Sequence, residues 1–169
     1  MTDENFTPNA DELLGYNEAA ATTHDRDLPG APSRRIAVVA CMDSRIDVLT
    51  ALGLQNGEAH VIRNAGGVVT DDVIRSLCLS QRSLGTREIL LLHHTDCGLQ
   101  KTDGAAFKAE LERELGIKPS WSVEAFDDPH ADVRQSMQRL RHTPFVPHTD
   151  HLRGFVYDVT TGRLDEVTE

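Results

Sequence analysis

No apolar run in this sequence approaches the ~18 residues needed to span a bilayer. Its first residues, Met1-Thr-Asp-Glu-Asn-Phe, lack the basic and then apolar pattern of a secretory signal. No membrane partner is expected, and the chain reads as soluble and cytoplasmic. Basic residues are also short, 17 Lys and Arg against 27 Asp and Glu, for a formal net charge of −10, and they form no clustered stripe. Nucleic-acid binding draws its affinity from neutralised phosphates, so no nucleic-acid partner is expected either. Cysteine is scarce: Cys41, Cys78 and Cys97 are all there are. An odd number in a chain without a signal argues against a disulfide framework and leaves the thiols as core fillers, catalysts or ligands. Internal repeats and low-complexity tracts are missing too, and 169 residues suit one core.

What is present begins at Arg35. Residues 1–34 are polar, with a weak helical stretch from Asp11 to Ala20 whose apolar stripe is too narrow to stand alone, so it is expected to lie against something else. Ile36-Ala-Val-Val-Ala-Cys41 is a continuous apolar, β-branched run of the kind buried on both faces of a parallel sheet. A short helix over Ile46 to Leu52 stops at Gly53, and His60 to Asn64 reads as a second strand broken by Ala65-Gly66-Gly67. Thr70, Asp71 and Asp72 supply the cap and first-turn anions of a helix carrying Val73, Ile74, Leu77 and Leu84, closed by Gly85. Ile89 to Leu92 forms the next strand. Further on, Phe107, Leu111 and Leu115 stand at helical spacing before Gly116, and Asp128-Pro129 opens a helix with Val133, Met137 and Leu140. The tail from Gly154 to Val167 reads as an edge hairpin turning at Thr161-Gly162. This alternation predicts an α/β fold with a mainly parallel central sheet flanked by helices.

Reactive groups in an open parallel sheet gather beyond the carboxyl ends of the strands. Cys41 ends the first strand, and His93, His94 and Cys97 follow the third, so all should emerge on one edge. Two thiolates and an imidazole there suit Zn²⁺, which favours tetrahedral sulfur and nitrogen ligands; three protein ligands leave the open corner of a catalytic site. Paired core cysteines and a thiol redox centre are the alternatives. Alternate side chains of a strand face opposite sides, so only one of the two histidines can point inward. His94, three residues before Cys97, is the expected ligand, and His93 a packed or hydrogen-bonded neighbour. Asp43 can take the open corner or accept a hydrogen bond from water there, with Arg45 holding its carboxylate ionised. A phosphate-cradling loop after Cys41 does not fit, because Arg45 follows too soon and no glycine run supplies backbone N–H groups. Cys78, among Leu77 and Leu79, is expected to be a small buried residue.

Cys41-Met-Asp-Ser-Arg45, Val61-Ile-Arg-Asn-Ala-Gly66 and His94-Thr-Asp-Cys-Gly98 resemble, in order and spacing, the three signature stretches of the β-class carbonic anhydrases. The short length and Val69-Thr-Asp-Asp-Val-Ile-Arg-Ser look like the compact actinobacterial-type branch of that family. The resemblance implies one Zn²⁺ per chain on Cys41, His94 and Cys97, an Asp43–Arg45 dyad, and a sheet of four parallel strands plus an antiparallel edge strand. It implies a carbonate dehydratase, a lyase that reversibly hydrates CO2 to bicarbonate and a proton, working as a homodimer or a tetramer of dimers. Residues 1–34 would then be an arm and helix packing on a partner subunit, and 35–169 a single zinc-binding catalytic domain. The same fold branch is similar to carbonyl sulfide and carbon disulfide hydrolases, which share the zinc site, and a non-catalytic zinc-binding protein is a further alternative. Met42, Asp47 and His93 depart from the family's usual residues without removing a ligand.

Overall fold

The structure, a computed structural model, describes residues 8–24 and 27–168; Met1 to Phe6, read above for a secretory pattern, lie outside the described residues. In chain order the elements are α1 (Ala10–Ala21), β1 (Ile36–Cys41), α2 (Val48–Leu52), β2 (Ala59–Asn64), α3 (Asp71–Leu84), β3 (Glu88–His94), α4 (Gly104–Leu115), α5 (Pro129–His142), β4 (His151–Tyr157) and β5 (Leu164–Val167). Short 3₁₀ turns at Ala65–Gly67 and Gly98–Lys101 follow β2 and β3.

The strands form one sheet in the order β2-β1-β3-β4-β5. β2, β1, β3 and β4 are parallel and β5 pairs antiparallel with β4, the arrangement that the resemblance implied. The chain leaves β1 for β2 on one side and returns to β3 on the other. The carboxyl ends of β1 and β3 are therefore a topological switch point, where such sheets open a crevice. Burial explains the apolar run in β1: Ala37 to Ala40 are fully buried because helices cover both faces. On one face Ala37, Val39, Ile89 and Leu91 meet Val73 and Leu77 of α3 and Val133, Met137 and Leu140 of α5. On the other, Val38, Ala40 and Leu92 pack with Ile46 and Val48, and Cys41 and Cys97 end that layer.

Local chemistry sets most boundaries. The Thr70 hydroxyl accepts from the Val73 N–H and the Asp128 carboxylate from the His130 N–H, so α3 and α5 start where those caps were expected. α2 starts at Val48 and not at Ile46, because the Asp47 carboxylate accepts from the Thr50 N–H and makes Asp47 the cap. Three expected apolar faces are left uncovered by the described residues. Leu84 at the end of α3, Phe107 and Leu115 of α4, and Leu13, Leu14 and Tyr16 of α1 are all exposed, and neither α1 nor α4 has a buried residue.

α5 can lie against β4 because Gly154 has no side chain. A Cβ there would stand 2.2 Å from Val133 Cγ1 and 3.0 Å from Met137 Sδ. Gly154→Ala is expected to lower the unfolding free energy by about 1–3 kcal/mol through overpacking. Urea denaturation should find the Gly154→Ala/Val133→Ala double variant less destabilised than the sum of its singles.

Candidate metal centre

Register brings the expected ligands together. Ala40 pairs with Leu92 across β1 and β3, so Cys41 ends its strand beside the residues that lead into His94. The chain then turns through Asp96, whose φ of 58° lies in the left-handed region, and Cys97 enters the Gly98–Lys101 turn with its N–H donating to Gln100 Oε1 at 3.1 Å. Cys41, His94 and Cys97 are all buried, and their ligand atoms lie within 4.8 Å of one another.

The tautomer of His94 follows from its neighbour. Nδ1 stands 2.9 Å from the Thr95 carbonyl oxygen, which can only accept, so Nδ1 carries the hydrogen and Nε2 presents a lone pair. That Nε2 is buried without a hydrogen-bond partner. An unpartnered imidazole nitrogen beside two buried sulfurs is costly unless a cation takes its lone pair, and this donor set fits Zn²⁺. The thiols are strongly linked. Cys41 is pulled down to about 4, first by the hydrogen bond from the Cys97 thiol, against burial and with help from His94. Cys97 is pushed up by that same hydrogen bond to the Cys41 thiolate and by burial. Burial pulls His94 down, but the neighbouring Cys41 thiolate outweighs this and raises it overall.

Asp43 and Arg45 form a bidentate pair: Arg45 Nε donates to Asp43 Oδ1 at 2.9 Å and Nη2 to Oδ2 at 2.7 Å. The Arg45 side chain, joined by the Arg45 backbone N–H on Oδ1, holds the Asp43 carboxyl well below the usual carboxylate range. Asp43 Oδ2 stands 3.8 Å from His94 Nε2, at the rim of the three-ligand cluster and not within it. A cavity of about 200 Å³ opens beside them, lined by Met42, Ala65, Gly66 and Leu99 as well as by both cysteines and Asp43. A larger groove of about 500 Å³ lies elsewhere, on α3 around Ile74, Leu79 and Phe145, with no metal-ligating cluster in it.

Sequence reasoning passed over two residues here. Arg63 of β2 donates from Nε to the Cys41 carbonyl at 2.9 Å and from Nη2 to the Asp43 carbonyl at 2.7 Å, pinning the loop that carries both side chains. Its only signal was its place in Val61-Ile-Arg-Asn-Ala-Gly66. Asp96 accepts from Arg45 Nη1 at 2.9 Å and also holds Lys101. His93 is where alternation put it, on the opposite face, with Nε2 2.7 Å from Asp132 Oδ2 and its ring 5.5 Å from that of Phe126. Cys78 corrects the expectation of a buried thiol: it is half-buried in the α3 groove, because its side of the helix faces away from the sheet. Among the described residues no other group of three or more metal-ligating side chains comes together.

A mainly parallel α/β sheet that gathers two thiols and an imidazole at its switch point, with an ionised carboxylate at the rim, is the architecture of a hydratase with a candidate metal site. The chain belongs to the carbonic anhydrase family, β class: the family model described as carbonic anhydrase matches residues 36–123. It is 56% identical over 158 residues to Beta-carbonic anhydrase 1 of Mycobacterium tuberculosis, covering 94% of this chain and 97% of that one. It is 34% identical over 165 residues to a carbon disulfide hydrolase of an Acidianus species, covering 82% and 80%. Among solved structures, a carbonic anhydrase from Streptococcus mutans superposes with a TM-score of 0.89 at 43% identity, covering 96% of this chain and 99% of that one.

Arg63→Met removes both pins while keeping the apolar stem. Zinc affinity is expected to fall about 10-fold or more, as when the groups that orient ligands are lost. Competition with a chromophoric chelator measures it.

Proposed function

We propose that this protein is a zinc-dependent carbonate dehydratase that reversibly hydrates CO2 to bicarbonate and a proton, with Cys41, His94 and Cys97 holding one zinc per chain and Asp43 and Arg45 serving the reaction. The observation that carries the reading is the buried, unpartnered Nε2 of His94 facing two thiols, with Asp43 held at the rim. Bound there, zinc would lower the pKa of water from 15.7 towards about 7 and so supply hydroxide at neutral pH.

The chain's own groups do the rest. Two thiolates donate more negative charge to the metal than imidazoles do, which weakens the acidification. Asp43 offsets this: both its oxygens are engaged by Arg45, it stays ionised, and it can only accept, so it takes a hydrogen bond from water and aims the oxygen lone pair at the substrate. Arg45 keeps Asp43 from becoming a fourth ligand. The small cavity, walled by Ala65, Met42 and Leu99 with Asp43 at one side, suits an uncharged linear triatomic molecule. The proton released then passes to buffer.

The second reading, hydrolysis of carbon disulfide or carbonyl sulfide at the same residues, is favoured by the 34% identity to a carbon disulfide hydrolase; the higher identity to a β-carbonic anhydrase favours CO2. Stopped-flow assays on CO2, COS and CS2 with zinc-loaded protein separate them. The expected order puts CO2 first, and turnover of CS2 above that of CO2 would overturn it. Arg45→Ala is expected to lower kcat/KM for CO2 about 100-fold at pH 8 as Asp43 loses its bidentate partner. Unchanged hydration by that variant would contradict the dyad.

The same reading places the protein in the cytoplasm, where its free thiols stay reduced, and makes it a homodimer or a tetramer of dimers. Residues 1–34 would form the arm that packs on a partner subunit, and 35–169 the catalytic domain. Support comes from α1: a 12-residue helix is marginal alone, and Leu13, Leu14 and Tyr16 find no cover among the described residues. Deleting residues 1–34 is expected to lower the sedimenting mass of the assembly; an unchanged mass in analytical ultracentrifugation would assign the arm another role.

A further inference from the structure

Arg45 is held from two sides, and only one side is the dyad. Its Nε and one Nη2 hydrogen bond engage Asp43; its Nη1 donates to Asp96 Oδ2 at 2.9 Å and Nη2 also to the Asp96 carbonyl at 3.1 Å. The two acids use different edges of the planar guanidinium, so Asp96 does not compete with Asp43 for donors; it fixes the plane that Asp43 reads. Asp96 is itself prepared for this. Its backbone sits at φ 58°, where residues other than glycine carry a conformational cost, and that turn is what aims both its carbonyl and its carboxylate at Arg45. Lys101, one turn further on, grips the other carboxylate oxygen.

An ordinary exposed ion pair joins two long side chains and contributes little. Here Arg45, Asp96 and Lys101 are all partly exposed, but Asp96 is a short side chain on a constrained turn, and it makes contact through its backbone as well. We infer that Asp96, anchored by Lys101, is a positioning residue that braces Arg45 so that Asp43 stays on the guanidinium and leaves the metal's fourth corner to water. This deepens the reading proposed above and rests on it. Without the brace, Arg45 and Asp43 could shift together, and the carboxylate, 3.8 Å from His94 Nε2, would be free to join Cys41, His94 and Cys97 in holding a metal.

The test uses full-length protein loaded with Co²⁺ in place of zinc, titrated with thiocyanate, which needs the open corner. Asp96→Gly can keep the left-handed turn without strain while removing the side chain that Arg45 Nη1 and Lys101 hold. It is expected to weaken thiocyanate binding about 10-fold, with a changed visible spectrum before anion is added, and to lower kcat/KM for CO2 by a similar factor at unchanged thermal stability. Asp96→Asn, which still accepts from Nη1, is expected to restore most of the binding. Thiocyanate binding by Asp96→Gly that is unchanged or tighter would overturn the brace. Wild-type protein that takes no metal or does not hydrate CO2 would instead overturn the function on which it rests.

Discussion

Everything at the candidate site depends on the parallel pairing of β1 with β3. The register that sets Ala40 beside Leu92 ends the two strands side by side at the switch point, with Cys41 on one and His94 on the other. Because side chains alternate along a strand, a slip of one residue would deliver His93 to the site and turn His94 towards α5. The register is defended from above. The Ala65–Gly67 turn crosses the strand ends so closely that a Cβ on Gly67 would stand 2.8 Å from both Cys41 N and Leu92 O. Only a glycine, at φ 72°, can pass there, and it clamps the two strands that matter most.

Charge is laid out in two tiers around that junction. The inner tier is buried and short of a cation: two linked thiols, one well below and one above the ordinary thiol range, and an imidazole with a free lone pair. The outer tier is balanced without any metal, since Asp43, Arg45, Asp96 and Lys101 alternate in sign and satisfy one another. An inner tier short of a cation beside an outer tier already balanced is how a carboxylate can stand next to three candidate ligands without joining them.

Much of this was legible in the sequence because it rests on short-range rules. The run in β1 announces burial on both faces, Thr70 and Asp128 announce helix starts, and the spacing of His94 and Cys97 after a strand announces a cluster of candidate ligands. Alternation was enough to separate His94 from His93. What stayed hidden acts at long range or on the backbone. Arg63 serves two carbonyls 20 and 22 residues away, and Asp96 meets Arg45 across 51 residues, so neither forms a periodic pattern. Asp47 was passed over as a cap because Ile46 looked like the first apolar residue of α2. The apolar residues of α1 and α4 were readable, but their exposure among the described residues depends on how the helices pack and not on their periodicity.

On the function proposed here, Cys41, His94 and Cys97 hold a zinc ion whose fourth neighbour is exchangeable because Asp43 remains on Arg45. Zinc K-edge X-ray absorption on the loaded protein, before and after thiocyanate, tests it most directly. The account predicts two sulfur and two lighter neighbours, with one lighter neighbour replaced when the anion is added. Three or more sulfurs, or a spectrum that thiocyanate leaves unaltered, would contradict it.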